Sequence, residues 1–392
     1  MAAKYIVIHL SGPDRPGLTH GLLKAVADTG AHLRDFGQSV VHGLLSLSAL
    51  IELGPDSTFL EAALYYASAN GLKLEAQPVS GEDIARAEKT YAPERTLCIS
   101  LVGDLADARA LAACTREISQ LGINILEIKT LSRKSLHGVE FIVAYPRALD
   151  IKAVKHELYL AVNALGVDVA IQKNDWFRYA KRLVCLDVDS TFVNIEAIDE
   201  LAGLVGQQAH VAKITEAAMN GKLDFESALR ERVKCLKGLK LTDAEKHLAT
   251  AISNPGIDAF VKKLKRLGFR IGLVSGGFDF FVNALAKKYE LDFAFANSLE
   301  VDADGAFTGK VLGEILGPEQ KAKHLRKMCE TFQLQPEHAV AIGDGANDLK
   351  MLEAAGLGVA YRAKPFLKNR AHMALDHAAF DDLFYLMGCA DT

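Results

Sequence analysis

The sequence predicts an α/β protein in which two small ferredoxin-like βαββαβ modules precede a larger domain with a Rossmann-like parallel sheet and a helical cap insert. Three observations predict this fold. The chain has 392 residues, enough for two or three domains at roughly 150 residues each. Its first half repeats weakly at a steady offset of about 91 residues, which is typical of a duplicated domain. In its second half, apolar runs end abruptly in polar residues, as the buried strands of a parallel sheet do.

Composition excludes several classes of function. Lys and Arg number 45 and Asp and Glu 49, so the formal net charge of −4 provides no broad basic surface for nucleic acid or anionic lipid. No apolar run reaches the ~18 residues of a membrane span, and the first one, Tyr5–Leu10, is too short for a secretory signal. The six cysteines form no C-x-x-C pair, which is typical of buried thiols in a reducing compartment. We therefore expect a cytoplasmic protein that binds neither nucleic acid nor membrane.

The first module, residues 1–80, has the spacing of a βαββαβ unit. Alternating apolar residues predict a strand over Tyr5–Leu10, and the period of the apolar residues predicts a helix over Gly17–Thr29. A glycine turn near His42-Gly43 separates the next two strands. A helix over about Phe59–Asn70 and a strand over Leu72–Gln77 complete the unit.

The second module, residues 95–175, repeats this order after a charged linker over residues 81–94. A four-stranded antiparallel sheet with two helices on one face satisfies the order in both copies. The predicted elements of the second copy are Thr96–Val102, Ala108–Gln120, Asn124–Leu131, Gly138–Tyr145, Asp150–Leu165 and Val167–Gln172.

The larger domain, residues 180–392, begins with an apolar run, Leu183–Leu186, that ends in two carboxylates. Because residues two apart on a strand point the same way, Asp187 and Asp189 can converge on one small volume. The carboxyl end of a strand is also where open α/β sheets bind ligands. Two ionised carboxylates this close repel each other, and a cation such as Mg²⁺ would relieve the repulsion.

Three later segments have a related design. The strand Phe269–Val274 runs into Ser275-Gly276-Gly277, which offers a hydroxyl and unobstructed backbone N–H groups to an anion. The strand Ala339–Gly343 runs into Asp344-Gly345-Ala346-Asn347-Asp348. Between them, Lys321 lies in the first turn of a predicted helix, where a cation opposes the helix macrodipole and needs another reason to be present. Together the segments place acids, a hydroxyl and a cation at successive strand–helix junctions.

This series of four motifs resembles the haloacid dehalogenase superfamily of aspartate-dependent phosphotransferases. The resemblance implies that Asp187 is the nucleophile that forms an aspartyl phosphate, and that Asp189 is the general acid and then the general base. It also implies Mg²⁺ held by the carboxylates of Asp187 and Asp344 and by the backbone carbonyl of Asp189. Asp348 is expected to orient Lys321 or a metal-bound water. The groups expected to hold the phosphoryl oxygens are those of Ser275, Gly276, Lys321 and Asn347.

Within that superfamily the chain resembles the phosphoserine phosphatases, both in Asp189–Glu196 and in Thr215–Val233, which looks like their cap insert (here about residues 197–250). The resemblance implies Mg²⁺-dependent hydrolysis of O-phospho-L-serine to L-serine and phosphate, the last step of serine biosynthesis. Glu196 is expected to pair with the substrate α-ammonium and Arg232 to grip its α-carboxylate at two points. Phe225 either closes the site as a lid or packs in a core.

Alternatives stay open at this point. The same covalent chemistry could pass the phosphoryl group to another alcohol, or act on another small phosphate monoester. A third possibility is an amino-acid sensor without turnover, which the complete set of motif residues disfavours.

The βαββαβ topology of the two N-terminal modules, with the glycine-bearing turn Gly12–Leu18 after the first strand of the first module, resembles ACT domains, a family of small-ligand regulatory modules. This turn is either a packing feature or the border of a small-molecule site between paired modules. In the second module, Gly103–Asp107 lacks the D-R-P-G stretch. The resemblance implies an amino-acid effector, for which serine is a candidate, and a homodimer.

Overall fold

The computed structural model describes residues 4–90, 95–132, 136–145, 149–219 and 223–390. The chain divides into two compact units, Met1–Ala92 and Pro93–Thr392. The first unit contains the first module. The second unit contains the second module together with the larger domain.

The first module is a four-stranded antiparallel sheet with two helices, as the sequence predicts. Its elements are β1 (Lys4–Pro13), α1 (Leu18–Asp28), β2 (His32–Val41), β3 (Leu44–Leu53), α2 (Phe59–Ala69) and β4 (Lys73–Val79). The strand order is β2-β3-β1-β4. Alternate residues of β1, namely Ile6, Ile8 and Leu10, are buried and pack against apolar residues of the helices such as Leu22 and Phe59. The period-two pattern of this strand therefore determines which face is covered.

A glycine ends the first strand of each module for a packing reason. A Cβ on Gly12 would lie 2.7 Å from the side chain of Leu72, and one on Gly103 would lie 3.0 Å from the carbonyl oxygen of Gly166. In both modules the glycine lets the end of the first strand approach the turn before the last strand. For Gly12 this close approach favours the packing interpretation of the turn.

The predicted linker contains a helix, α3 (Gly81–Thr90). Its N-terminus is capped by Ser80, whose hydroxyl oxygen accepts from the N–H of Asp83 at 3.1 Å. Glu82 and Asp83 lie in the first turn and Lys89 in the last, which suits the helix macrodipole. The charged stretch is thus an exposed helix for most of its length, and residues 91–94 lie outside the described part of the chain.

The second module repeats the topology of the first, with strand order β6-β7-β5-β8. Its elements are β5 (Thr96–Val102), α4 (Arg109–Gln120), β6 (Asn124–Thr130), β7 (Gly138–Ala144), α5 (Ile151–Asn163) and β8 (Asp168–Lys173). Every residue of β5 is buried, because both faces of this sheet are covered. Leu97, Ile99 and Leu101 pack under the module's own helices, whereas Val102 belongs to the core of the larger domain.

The larger domain is built on six parallel strands in the order β11-β10-β9-β13-β14-β15, with β12 antiparallel at the outer edge. The strands are β9 (Leu183–Leu186), β10 (Arg270–Phe278), β11 (Phe293–Val301), β12 (Phe307–Leu312), β13 (Ala339–Gly343), β14 (Leu357–Tyr361) and β15 (Met373–Leu375). The helices are α6 (Trp176–Tyr179), α7 (Ala197–Leu204), α8 (Gln208–Met219), α9 (Phe225–Lys234), α10 (Leu241–Leu248), α11 (Ile257–Arg266), α12 (Asp279–Lys288), α13 (Pro318–Thr331), α14 (Leu349–Ala354), α15 (Pro365–Lys368) and α16 (Leu383–Leu386).

The central strand β9 explains why the chain folds this way around residue 187. Val184 and Leu186 pack into the core on one face of the sheet, and Leu183 and Cys185 pack into the core on the other. A strand buried on both faces has no polar residue until it leaves the sheet, so the first carboxylate appears at its carboxyl end. The predicted Rossmann-like parallel sheet is confirmed.

Helices α7 to α10 form an insert between β9 and β10, where the sequence predicts the cap. The insert rejoins the sheet at Asn254, whose side-chain amide donates to the carbonyls of Thr191 at 2.7 Å and Val193 at 3.2 Å. Among the described helices, none is long and apolar enough to cross a membrane. The cytoplasmic location and the lack of nucleic-acid binding stay predictions.

The sequence does not predict that the sheet of the second module continues into the larger domain. β8 pairs antiparallel with β15 through Ala170 and Met373, which gives one sheet of eleven strands. Next to this pair, the carboxylate of Asp168 accepts hydrogen bonds from the backbone N–H groups of residues 376–378, at 2.8 to 3.0 Å. The second module and the larger domain therefore share backbone hydrogen bonds.

Candidate active site

A cavity of ≈ 790 Å³ opens at the carboxyl ends of the parallel strands of the larger domain, between the sheet and the insert. Seven of the ten residues that the sequence singles out line this cavity: Asp187, Asp189, Glu196, Arg232, Gly276, Asp344 and Asn347. The other three, Ser275, Lys321 and Asp348, are fully buried around it.

Lys321 lies between two carboxylates at the floor of the cavity. Its Nζ donates to Oδ1 of Asp187 at 2.7 Å and to Oδ1 of Asp348 at 2.6 Å. Burial alone would lower the pKa of Lys321, but the two carboxylates more than offset this effect and the net shift is upward. The lysine is therefore a fixed cation beside Asp187, which explains its unfavourable position in the first turn of α13.

Three carboxylates could hold a divalent metal ion. One oxygen from each of Asp187, Asp344 and Asp348 lies within 4.8 Å of the others. Asp348 already uses both oxygens, since its Oδ2 accepts from the N–H of Gly345 at 3.0 Å. Among the described residues, Asp344 accepts a single side-chain hydrogen bond, 3.2 Å from Thr191 Oγ1, and it lines the cavity. Oxygen donors of this kind suit Mg²⁺, and Asp187 and Asp344 are the better placed pair.

The electrostatics of Asp344 also fit a cation. Desolvation, and then the charges of Asp187 and Glu196, raise the pKa of Asp344 to about 7. Such a shift means that the ionised carboxylate is disfavoured in this cluster unless a positive charge compensates it.

Asp189 is held in a different way from these three carboxylates. Its Oδ1 accepts from the backbone N–H of Ala197 at 2.8 Å, at the start of the insert. A Cβ on Gly277 would approach its Oδ2 to 2.7 Å, so a larger residue there would have to displace this oxygen. Burial, and then the charge of Glu196, raise the pKa of Asp189 to about 8. The raised pKa favours the protonated form of this carboxyl group, which can act as an acid.

Ser275 is placed behind the cavity wall. Its hydroxyl oxygen accepts from the N–H of Gly277 at 2.9 Å, and the residue has no exposed surface. Gly276 does face the cavity, and its carbonyl accepts from Asn297 Nδ2 at 2.8 Å, which holds the loop in place. A direct contact of Ser275 with a phosphoryl oxygen stays a prediction.

The insert and the residue before it add a positive and a negative side chain to the cavity lining, Arg232 and Glu196. Glu196 accepts from the hydroxyl of Ser190 at 2.8 Å. Arg232 is half-buried, and its burial lowers the pKa of the guanidinium while Glu196 acts in the opposite sense. Phe225 lies against the end of β10, since a Cβ on Gly276 would be 3.0 Å from its ring. This placement favours the lid interpretation of Phe225.

Several residues around the site were not predicted from the sequence. Thr191 and Asn254 organise the loop after β9, and both act through hydrogen bonds between residues distant in the chain. Lys364, Phe366 and Leu367 line the cavity from the segment after β14. A signal for that segment existed, because an apolar strand followed by polar residues is the pattern that identified the other motifs.

Comparisons with known proteins agree with this architecture. Residues 181–356 match the family model of haloacid dehalogenase-like hydrolases, and residues 4–77 and 96–172 each match an ACT domain model. A phosphoserine phosphatase of Streptomyces coelicolor is 39% identical over 386 residues, covering 98% of this chain and 92% of the relative. The chain belongs to the phosphoserine phosphatase family.

Further relatives support this assignment. The phosphoserine phosphatase SerB2 of Mycobacterium tuberculosis is 37% identical over 388 residues, covering 98% of this chain and 93% of the relative. The crystal structure of a probable phosphoserine phosphatase from Vibrio cholerae superposes with a TM-score of 0.61 at 32% identity, covering 76% of this chain and 88% of that structure. The predicted family, the two ACT domains and the assignment as a hydrolase are thus confirmed.

Proposed function

We propose that this enzyme hydrolyses O-phospho-L-serine to L-serine and phosphate with Mg²⁺, through an aspartyl phosphate on Asp187. The observation that carries the proposal is the distribution of charge in one cavity. Asp187, held by Lys321, lines the same cavity as the carboxylate of Glu196 and the guanidinium of Arg232. The names of the full-length relatives support the same substrate.

In the first step, an Asp187 carboxylate oxygen attacks phosphorus and the bond from phosphorus to the serine oxygen breaks. The departing oxygen needs a proton, and the raised pKa of Asp189 provides one at neutral pH. The hydrogen bond from Ala197 holds Asp189 while it donates. The cation of Lys321 and the N–H groups near Gly276 and Asn347 stabilise the phosphoryl oxygens during the transfer.

In the second step, Asp189 is left as a carboxylate and takes a proton from water. The water oxygen attacks phosphorus, the bond from phosphorus to Asp187 breaks, and phosphate leaves with Asp187 restored as a carboxylate. The insert limits access of bulk water during the first step, because Phe225 covers the loop at Gly276.

When bound, Mg²⁺ would supply positive charge to the phosphoryl group as negative charge develops there. Asp187 and Asp344 are the side chains that would hold it, and the backbone carbonyl of Asp189 is the further ligand expected from the family resemblance. In the resting site, the ion would also offset the desolvation and the repulsion that raise the pKa of Asp344.

Selection of serine rests on two charges of the substrate. Its α-ammonium would pair with Glu196, and its α-carboxylate would pair with Arg232, which can bond it through two N–H groups. A phosphate ester that lacks either group leaves one of these side chains without a partner in the cavity and should bind less well.

The test is phosphate release from a panel of monoesters, each with Mg²⁺ or with EDTA. O-phospho-L-serine, O-phosphoethanolamine and phosphoglycolate differ in the charged groups that Glu196 and Arg232 would meet. We expect a clear preference for O-phospho-L-serine with Mg²⁺ and no turnover by Asp187→Asn. Preference for another ester would refute the proposal that O-phospho-L-serine is the substrate. Transfer to an added alcohol in preference to water would favour the phosphotransferase alternative.

We also infer that the ACT domains bind an amino-acid effector and that the protein is a homodimer, as in the family resemblance. The two ACT matches support the first point. Thermal shift of the protein with added L-serine and sedimentation equilibrium would test these points separately.

A further inference from the structure

One wall of the active-site cavity comes from a segment that no motif marks. Lys364, Phe366 and Leu367 line the cavity and belong to α15 or directly precede it. This helix has only four residues. Of the three lining residues, Lys364 and Phe366 are exposed and Leu367 is buried. Such a short element needs contacts outside itself to stay in one position.

Those contacts lead to the second ACT domain. Lys368, the last residue of α15, forms an ion pair with Oδ1 of Asp376 at 2.8 Å. The other oxygen of Asp376 accepts from Tyr159 Oη at 2.9 Å and from Asn163 Nδ2 at 3.2 Å. Tyr159 and Asn163 both lie on α5 of the second ACT domain. One carboxylate therefore connects a helix of that domain with a segment that lines the cavity.

The backbone at Asp376 is held by two further contacts. The backbone N–H of Asp376 donates to Asp168 at 2.9 Å, and the neighbouring pairing of β8 with β15 holds the strand before it. The side chains of Lys368 and Asp376 are only 21% and 9% exposed. An ion pair with this little water around it is screened less than one on the surface, so it holds its geometry better.

We infer that Asp376 is a positioning residue for substrate binding, through which the second ACT domain fixes the cavity wall formed by Lys364–Leu367. The inference rests on the proposed function only in that the substrate is an anionic phosphate monoester. Lys364 adds a positive charge to the cavity that receives this anion. If α15 shifts, that charge and the apolar surface of Phe366 shift with it.

The position of α15 should affect binding more than chemistry. None of the residues in the network from Tyr159 to Lys368 contacts Asp187, Asp189 or Lys321 in the described hydrogen bonds and ion pairs. A change that weakens substrate and transition-state binding equally raises KM and leaves kcat unchanged. This division separates positioning of the wall from a general loss of folded protein, which would lower kcat.

The experiment compares Tyr159→Phe and Asp376→Asn with Gln172→Ala in the full-length protein. Gln172 is a matched control, because its Nε2 donates to the carbonyl of Leu386 at 2.6 Å and so joins the same two domains away from the cavity. We expect the first two variants to raise KM for O-phospho-L-serine about 2- to 30-fold, the range for residues that couple a distant element to a site. The control should keep the wild-type KM, and kcat should stay within about twofold in all three.

Lys364→Ala provides a second measurement. Its increase in KM should not add to that of Tyr159→Phe in the double variant, because both changes act on the same wall. Three results would each overturn the inference. The first is an unchanged KM in Tyr159→Phe and Asp376→Asn, and the second is an equal increase in KM in Gln172→Ala. The third is full additivity of the KM effects of Lys364→Ala and Tyr159→Phe. If the wild type does not turn over O-phospho-L-serine, the proposed substrate fails separately, and the same variants are compared on the monoester that it does hydrolyse.

Discussion

Gly277 offers a direct test of how Asp189 is positioned. In Gly277→Ala the new Cβ would lie 2.7 Å from Asp189 Oδ2, whereas real Cβ contacts are no closer than 3.0 Å and usually no closer than 3.4 Å. Asp189 Oδ2 must therefore move by about 0.3 to 0.7 Å, which shifts or turns a carboxyl group whose other oxygen, Oδ1, accepts from the N–H of Ala197. If a misplacement of 1 Å costs about 10²-fold in rate, this shift corresponds to a loss of about 4- to 25-fold in kcat.

Gly203→Ala is the matched control for this substitution. A Cβ on Gly203 meets no atom within 4 Å, and neither glycine has the positive φ that would strain an alanine. Steady-state phosphate release with saturating Mg²⁺ gives kcat, and thermal unfolding checks that both variants are folded. We expect a lower kcat in Gly277→Ala only. An unchanged kcat in that variant, or the same loss in both, would refute the proposal that Asp189 is positioned as the general acid.

Three further predictions concern specificity, metal binding and stability. Arg232→Ala should raise KM for O-phospho-L-serine about 10- to 100-fold, because the charge-assisted pair with the substrate α-carboxylate is lost. It should change KM for O-phosphoethanolamine, which has no carboxylate, much less. Arg230→Ala, which removes an exposed ion pair, is the control and should change neither KM. Burial and nearby charges raise the pKa of Asp189 to about 8 and that of Asp344 to about 7. In the unfolded chain these carboxyl groups lose their protons above a pKa of about 3.9. Between these pH values the metal-free folded protein therefore binds more protons than the unfolded chain does. Its stability should thus fall as pH rises towards 8, and Mg²⁺, measured against EDTA, should raise Tm more at about pH 8 than at about pH 6; an equal increase at both would contradict this. Asn254→Ala should lower the free energy of unfolding in urea by about 1–3 kcal/mol, because it leaves buried carbonyls without a donor, and no change in the denaturation midpoint would exclude that role.

Much of the fold and part of the site could be predicted from the sequence, because their signals are local. The apolar run of β9 and the two carboxylates after it indicate both a buried strand and the edge at which a ligand binds. The repeat at a fixed offset indicates two similar modules without any knowledge of their contacts. Even the unfavourable position of Lys321 was informative, since a cation at a helix N-terminus needs a partner, and the structure provides Asp187 and Asp348.

Other features depend on contacts between residues far apart in the chain. The linker helix α3 has a local cap at Ser80, but its charged sequence is also typical of a linker, so the helix was not predicted. By contrast, no local pattern reports that β8 continues the sheet of the larger domain through Ala170 and Met373. Likewise, the close approach of Asp189 to Gly277 depends on how two segments meet after the 87 residues between them have folded.

By itself, the sequence determined the order of the elements, the family and the residue types that carry the chemistry, because periodicity and short motifs are properties of neighbouring residues. Only the tertiary structure decided which carboxylates cluster and that Ser275 is buried behind the cavity lining. It also decided that Asp376 connects the second ACT domain with α15. The physical reason is that pKa values, ion pairs and cavity walls are set by distances across the fold, and these distances are fixed only when the distant segments pack together.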